Sequence, residues 1–455
     1  MAVPKPDPEK NRRVIGIVLY TLFMLSGALL IALVFLIPAF MGDAGDEFAA
    51  MGLGALLALP PLVVYLWLPW VIDRYDPEPW WALALVLAWG GVAAIGFAAF
   101  INTGVHIVFG AIDPGLGTFM TVCVSAPLVE EFWKGLAIFG IFYFVRREFD
   151  GVVDGIIYAT FVALGFAAIE NITYYARAAA EPGDALAGTF VIRGLLSPWG
   201  HPLYTSMTGI GFGISRETTK GWLRWMAPIF GYFGAVFLHA TWNTAATLSG
   251  FLAIIMLPLW FLVVFAFLGI IIWLVRRKGK IIHDHLKDEV LLGNLSPYEL
   301  DLVTSAFGRM KASMSYGGSA GRKFVAAAAR LGLCKWHTGR AAKGRQKTVS
   351  ADWIVPLRQE LGELRQQIAR LKGGNIQWPQ AWQAQPQQHP APMPVWGPPG
   401  GAPPGGGYGG PQGGGGYGGP QGGGGYGGPQ GGGGYGGPQG GGGGNPPQGG
   451  GGWGR

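Results

Sequence analysis

The stretch TFMTVCVSAPLVEEFWKGLAIFGIFYFV, residues 118–145, decides how this chain is read. It is long enough to cross the roughly 30 Å of a bilayer's hydrocarbon, which takes about 20 apolar residues. Its middle nonetheless carries Glu130, Glu131 and Lys134. On insertion scales a charge at the centre of a spanning helix costs about 2.5–3.5 kcal/mol. Charges kept there at that cost point to a function that needs them.

Seven further apolar stretches surround this one, at 14–40, 49–72, 81–109, 155–175, 190–215, 225–248 and 251–275. The whole chain of 455 residues is 50% hydrophobic and 13% charged. A soluble domain carries roughly 25% charged residues, so an ordinary soluble enzyme is excluded. The expected fold is all-α, a polytopic transmembrane helix bundle of about eight spans. The first apolar run is too long for a cleaved signal peptide and has no small-residue cleavage site after it. Two cysteines, Cys123 and Cys334, make no disulfide framework and lack the spacing of a zinc site.

Orientation follows from Lys and Arg, which favour the cytoplasmic side. Lys5, Lys10, Arg12 and Arg13 precede the first span, and Arg146 and Arg147 follow the fourth. Arg216, Lys220 and Arg224 follow the sixth, and Arg276, Arg277, Lys278 and Lys280 the eighth. The alternate loops hold almost none, apart from Arg177, with Arg193 at the start of span six. Both termini are therefore expected in the cytoplasm of a multi-pass protein of the cell membrane.

Four parts are expected: a cytoplasmic segment 1–13, the membrane domain 14–275, a basic helical cytoplasmic region 276–373, and a tail 374–455. In the third part, Ser296-Pro297-Tyr298-Glu299 reads as a helix start. Leu357, Leu361, Leu364, Ile368 and Leu371 recur at helical spacing. Residues 321–349 carry Arg322, Lys323, Arg330, Lys335, Arg340, Lys343, Arg345 and Lys347. That run is either a solvated basic face or a patch drawn to anionic lipid, at about 1 kcal/mol per basic residue near the surface. Nucleic acid is not expected as a partner, because aromatics are sparse and no recognition module appears. The tail repeats a Gly-, Pro- and Gln-rich unit with Tyr408, Tyr417, Tyr426 and Tyr435 nine apart. It has too little apolar surface to offset its ordering entropy and should be disordered.

Polar residues inside the spans define a layer. Besides Glu130, Glu131 and Lys134 there are Glu170 in span five, His201 in span six, and His239 and Asn243 in span seven. At about 1.5 Å per residue, Glu130 lies about 18 Å, Glu170 about 9 Å and His239 about 15 Å below the outer face. His201 lies about 16 Å deep if its helix begins near residue 190, and about 6 Å if it begins at Ser197-Pro198. Glu130 and Lys134 share a helix face, as do His239 and Asn243. Lys134 can pair with one glutamate and leave the other free as a base, while Asn243 can orient the imidazole or donate to an oxyanion. His106, alone near the outer end of span three, reads as structural. Buried ion pairs that merely hold helices together would explain Glu–Lys, but not a second and third carboxylate and two histidines.

These motifs resemble the PrsW family of intramembrane proteases, related to the CAAX prenyl proteases and bacteriocin-processing enzymes. The matching pieces are Asp73-Arg74-Tyr75-Asp76-Pro77-Glu78-Pro79, Glu130-Glu131-Phe-Trp-Lys134, Asp154-Gly155, Gly165-Phe166 with Glu170-Asn171, His201-Pro202, and His239-Ala-Thr-Trp-Asn243. The resemblance covers roughly 14–275. It implies a membrane-embedded peptidase acting on membrane-associated proteins, with some members cutting anti-sigma factors. The wider superfamily typically has His where this chain has Glu170.

Peptide hydrolysis needs an activated water, oxyanion stabilisation and a proton for the leaving amine. Glu130 or Glu131 is the expected base, with Glu170, His201, His239 and Asn243 in the other roles and Lys134 and Asn171 in support. Metal-independent glutamate chemistry is preferred here, because His-Glu-x-x-His is absent. A zinc version, drawing on Glu130, Glu131, Glu170, His201 and His239, stays open. The non-enzymatic alternatives are a proton-coupled transporter and a membrane scaffold. The sequence shows no internal repeat to favour the first.

Overall fold

A computed structural model describes residues 8–371, except 42, 43, 73, 74, 76, 249, 306 and 345–348. The expected disordered tail lies outside these residues. The described part is helical throughout, in twelve main helices. Helix α1 is Pro8–Ile31, prolonged by a π-helical Ala32–Leu36 to Met41, and α2 is Ala44–Ile72. Helix α3 is Trp80–Gly110, and α4 covers 114–144. Then come α5 (Val152–Ala180), α6 (Gly200–Glu217), α7 (Gly221–Leu248) and α8 (Gly250–Leu291). A C-terminal helical region follows, with α9 (Pro297–Thr304), α10 (Gly308–Ser315), α11 (Ser319–Lys343) and α12 (Ile354–Leu371).

Five helices are long and apolar enough to cross a membrane: Asn11–Leu36, Gly45–Trp67, Trp80–Gly110, Val152–Ala180 and Ile255–Leu291. The other three expected spans, α4, α6 and α7, are helical and carry the polar residues of the candidate site, which lowers their hydropathy.

The bundle is built around α5, which is buried continuously from Val152 to Ala168. Small residues bring its neighbours close. A Cβ on Gly155 would sit 2.1 Å from the Gly209 carbonyl of α6, and one on Gly165 would sit 2.1 Å from the Leu87 carbonyl of α3. Close backbone approach through small residues is how helices associate without a hydrophobic driving force. The Asp154-Gly155 pair of the sequence motif is thus architectural. Asp154 accepts the backbone N–H groups of Asp150 and Gly151 at the start of α5, and Gly155 admits α6.

Span six differs from expectation. Its helix is broken at Ser197–Trp199, between a π-helical Phe190–Leu196 and α6. Pro198 has no N–H to give and clashes with a continuing helix. Helix α8, by contrast, runs on without interruption from the expected span to Leu291. The expected helix start at Ser296 is present, and Ser296 and Glu299 form a capping box at α9. Leu357, Leu361, Leu364 and Ile368 are buried, while Leu371 stays exposed.

The basic run is partly consumed inside the protein. Lys335 pairs with Asp288 and with the buried Glu289, and Arg340 lies 3.7 Å from Glu217. Arg345 and Lys347 lie outside the described residues.

Candidate active site

Helix α4 presents Glu130, Glu131 and Lys134 to the interior, all three buried. The Lys134 ammonium is wholly buried, 3.3 Å from Glu130 Oε2, 3.0 Å from Glu131 Oε1 and 3.0 Å from His201 Nδ1. It also sits 3.9 Å from the centre of the Phe166 ring. Lys134 therefore pairs with both carboxylates, where the sequence reading gave it one. Removing a charge from water needs this many compensating contacts.

The two glutamates differ in what surrounds them. Glu131 is saturated: beyond Lys134, its Oε1 lies 3.1 Å from His239 Nδ1 and its Oε2 accepts the Thr205 hydroxyl at 2.7 Å. Glu130 lines a cavity of about 880 Å³, which His201, His239, Glu170 and Asn243 also border. The cavity-facing carboxylate is therefore Glu130, and Glu131 is an anchor.

Both histidines are oriented by a carboxylate. An ammonium only donates, so His201 Nδ1 accepts from Lys134 and its Nε2–H faces Glu170 Oε2 at 2.9 Å. His239 is held by Glu131 and stacks on Tyr204, with ring centroids 4.8 Å apart and planes 16° apart. A carboxylate partner fixes the tautomer and orientation of an imidazole.

Glu170 is itself fixed by Arg193, which pairs with it and donates Nε–H to Asn171 Oδ1 at 2.8 Å. The Arg193 guanidinium lies over the Tyr174 ring at 3.7 Å. Asn243 is placed differently from the sequence reading. Its Nδ2 donates to the Val122 carbonyl at 2.9 Å, tying α7 to the π-helical Met120–Ser125 of α4, while the residue also borders the cavity. His106 borders the cavity too.

Three π-helical stretches line the cavity, through Leu33–Phe35, Thr121 with Val122, and Arg193. Such stretches occur mostly at functional sites. The break before α6 also sets the position of His201 relative to the other polar residues. Counting residues from the preceding loop fails, because the helical 185–196 segment intervenes and α6 starts beside Glu170 and Lys134. Arg193, Thr205 and Tyr204 border these groups and were not among the expected site residues, and Phe166 was quoted in a motif without a role. Arg193 had a signal, since it breaks the Lys/Arg alternation.

Glu130, His201 and His239 each offer one ligand atom, and the three atoms lie within 4.8 Å of one another. Two imidazoles and a carboxylate are a donor set that zinc accepts with a position left open. The residues fit such an ion. Lys134 already donates to Glu130 and to His201, two of the three residues that would hold the ion.

An α-helical membrane bundle with a buried Glu/His centre is the class this geometry defines. Residues 78–274 match the family model described as PrsW family intramembrane metalloprotease. Protease PrsW of Geobacillus kaustophilus (strain HTA426) is 29% identical over 195 residues, covering 38% of this chain and 80% of that protein. Protease PrsW of Bacillus subtilis (strain 168) is 31% identical over 157 residues, 34% of this chain and 65% of that protein. Protease PrsW of Oceanobacillus iheyensis is 43% identical over 56 residues, 12% of this chain and 26% of that protein. No solved structure matches. Through its membrane part this chain is similar to the PrsW family, and it is a membrane-embedded peptidase.

Proposed function

We propose that the chain hydrolyses peptide bonds of membrane-bound regulatory proteins, such as an anti-sigma factor, as a metallopeptidase whose reacting centre is Glu130, His201 and His239. The observation that carries this is the convergence of their ligand atoms within 4.8 Å at the wall of the cavity. A divalent ion held by these three residues supplies Lewis acidity and a water acidified toward neutral pH. The protein's own residues do the rest. Glu131, braced by Thr205 and Lys134, holds His239. Glu170, braced by Arg193, holds His201 and receives its Nε2 proton in a hydrogen bond. Glu131, Lys134 and His239 are buried, so their contacts act in a low dielectric.

A metal-independent reading is favoured by a different observation. Lys134 already places positive charge 3.3 Å from Glu130 and 3.0 Å from His201. Glu130 would then be the general base. Purified protein assayed for zinc and for cleavage of a membrane-bound substrate separates the two. The metal reading expects about one ion per chain, loss of turnover on chelation and recovery with Zn²⁺. Full turnover after exhaustive chelation hands the mechanism to Glu130 alone. We place the site in the outer half of the cell membrane, among eight spans with both termini cytoplasmic, on the strength of the Lys/Arg alternation.

A further inference from the structure

The C-terminal helical region exposes an apolar stripe that its own core does not use. Phe307, Met310 and Met314 are 63%, 57% and 80% exposed. Met310, Lys311 and Met314 fall within one arc of about 100° on α10, with Phe307 immediately before the helix on the same side. The opposite face is packed. A Cβ on Gly308 would collide with the Leu302 carbonyl, and Ala312 is buried where Gly321 of α11 crosses it. Side chains of this size, left exposed together, mark an interaction surface.

The position of α10 says what it meets. Helix α8 leaves its apolar span at Val275, and α9 brings the chain back along it. The Tyr75 hydroxyl, at the end of the loop after α2, donates to the Thr304 carbonyl at 3.2 Å, and the Tyr75 ring is packed against Gly279. Thr304 is therefore level with Gly279, four residues and about 6 Å beyond the end of the apolar span. Helix α10 begins four residues later, close to the end of that apolar span. Lys311, Arg322 and Lys323 are all exposed. Arg322 reaches across to Ser313 Oγ at 2.8 Å, which fixes it beside α10. Lys311 and Lys323 have no acidic partner among the described residues.

We propose that α10 is an interfacial helix: Phe307, Met310 and Met314 enter the leaflet on the side of the basic loops, and Lys311, Arg322 and Lys323 meet its anionic headgroups. An apolar face flanked by lysine and arginine is the composition of helices that lie in the plane of a bilayer surface. The lipid-facing charge thus sits at Lys311, Arg322 and Lys323. Lys335 and Arg340, deeper in the same basic run, face acids of the protein. Nothing in this inference depends on the reacting centre.

The test uses the full chain in lipid nanodiscs, with Cys123→Ala and Cys334→Ala as background and a fluorophore on Met314→Cys. A second label on Leu291→Cys is the control, because Leu291 is 88% exposed at the far end of α8, about 18 Å beyond Gly279. A nitroxide lipid should quench the label at 314 and not the one at 291. Aqueous iodide should do the reverse. Lipid quenching at 314 should rise about two-fold or more when anionic lipid replaces part of the zwitterionic lipid, and fall with Lys311→Glu/Lys323→Glu. Iodide access at 314 equal to that at 291 in an anionic bilayer overturns the proposal. So does protection from both quenchers, which would mean that protein covers the helix. Equal lipid quenching in zwitterionic and anionic bilayers overturns the headgroup contacts.

Discussion

Lys134 Nζ lies 3.0 Å from His201 Nδ1, joining two residues 67 apart in sequence. A lysine ammonium has only protons to offer, so the contact fixes the tautomer of His201 and directs its Nε2–H to Glu170. It also places the ammonium on two of the three residues that a metal ion would use.

Lys134→Met should therefore act in two directions. Losing the cation leaves Glu130 and Glu131 buried without it, at a cost of about 3–5 kcal/mol, and the chelated variant should melt well below wild type. Zn²⁺ puts positive charge back without competition from the ammonium, so its stabilising effect should be larger in the variant than in wild type. Thermal unfolding with chelator and with added zinc measures both. A zinc-induced rise in Tm no larger than that of wild type would show that Lys134 and the ion do not share a site.

The two adjacent glutamates should separate by phenotype. Glu130→Gln keeps the shape of a cavity-facing side chain and removes its charge. Turnover should fall about 10²-fold or more while Tm changes little. Glu131→Gln removes the carboxylate that faces Lys134, His239 and Thr205 together. It should lower Tm and turnover in parallel. A Glu131→Gln enzyme with wild-type Tm and no turnover would reverse the assignment of roles.

The sequence carried the membrane class, the helix positions and the polar layer, because hydropathy and buried charge are local properties. It did not carry the choice between Glu130 and Glu131. That choice depends on Thr205 and His239, which arrive from α6 and α7. Asn243 is a second case of a contact that only the fold supplies. Its i, i+4 spacing from His239 allows an imidazole contact, but the Val122 carbonyl of a neighbouring helix takes its amide. The basic run 321–349 read as one patch, since the acids that claim Lys335 and Arg340 come from α8 and α6.

Arg193 should behave as a positioning residue, acting through Glu170. Arg193→Lys keeps a charge for Glu170 but loses the Nε–H bond to Asn171, a planar fork that an ammonium cannot reproduce. Arg193→Gln loses the charge as well. Turnover should decline in the order wild type, lysine, glutamine, with bound zinc declining in step, as it does when supporting partners of metal ligands are removed. Zinc content and turnover unchanged in Arg193→Gln would show that Glu170 orients His201 without help.

The sidedness of the bundle follows from its loops. Reporter fusions after residues 45, 113 and 183 should read outside, and fusions after 149 and 219 inside, because the latter two loops hold Arg146, Arg147, Arg216 and Lys220. An outside signal at both 149 and 219 would invert the topology and move α10 away from the anionic leaflet.

The junction between the bundle and its C-terminal region should be sensitive to mild acid. His337 on α11 has its Nε2 buried with no hydrogen-bond partner, 3.9 Å from Asp150 Oδ1. Burial pushes its pKa down to about 4, and the charge of Arg216 pushes the same way, with Arg340 and Lys278 adding to it against the opposing pull of Asp154. An unfolded histidine titrates near 6.5. Between these values the unfolded chain binds the proton and the folded one does not, so stability falls as pH falls. The contribution is fully present above about pH 6.5, and about 2 kcal/mol of it should be lost by pH 5. That window lies above the range where carboxylates generally titrate. Tm followed from pH 7 to pH 5 should drop in wild type, and the drop should flatten in His337→Gln, whatever that substitution does to stability at pH 7. An undiminished slope in His337→Gln would assign the acid sensitivity to another group.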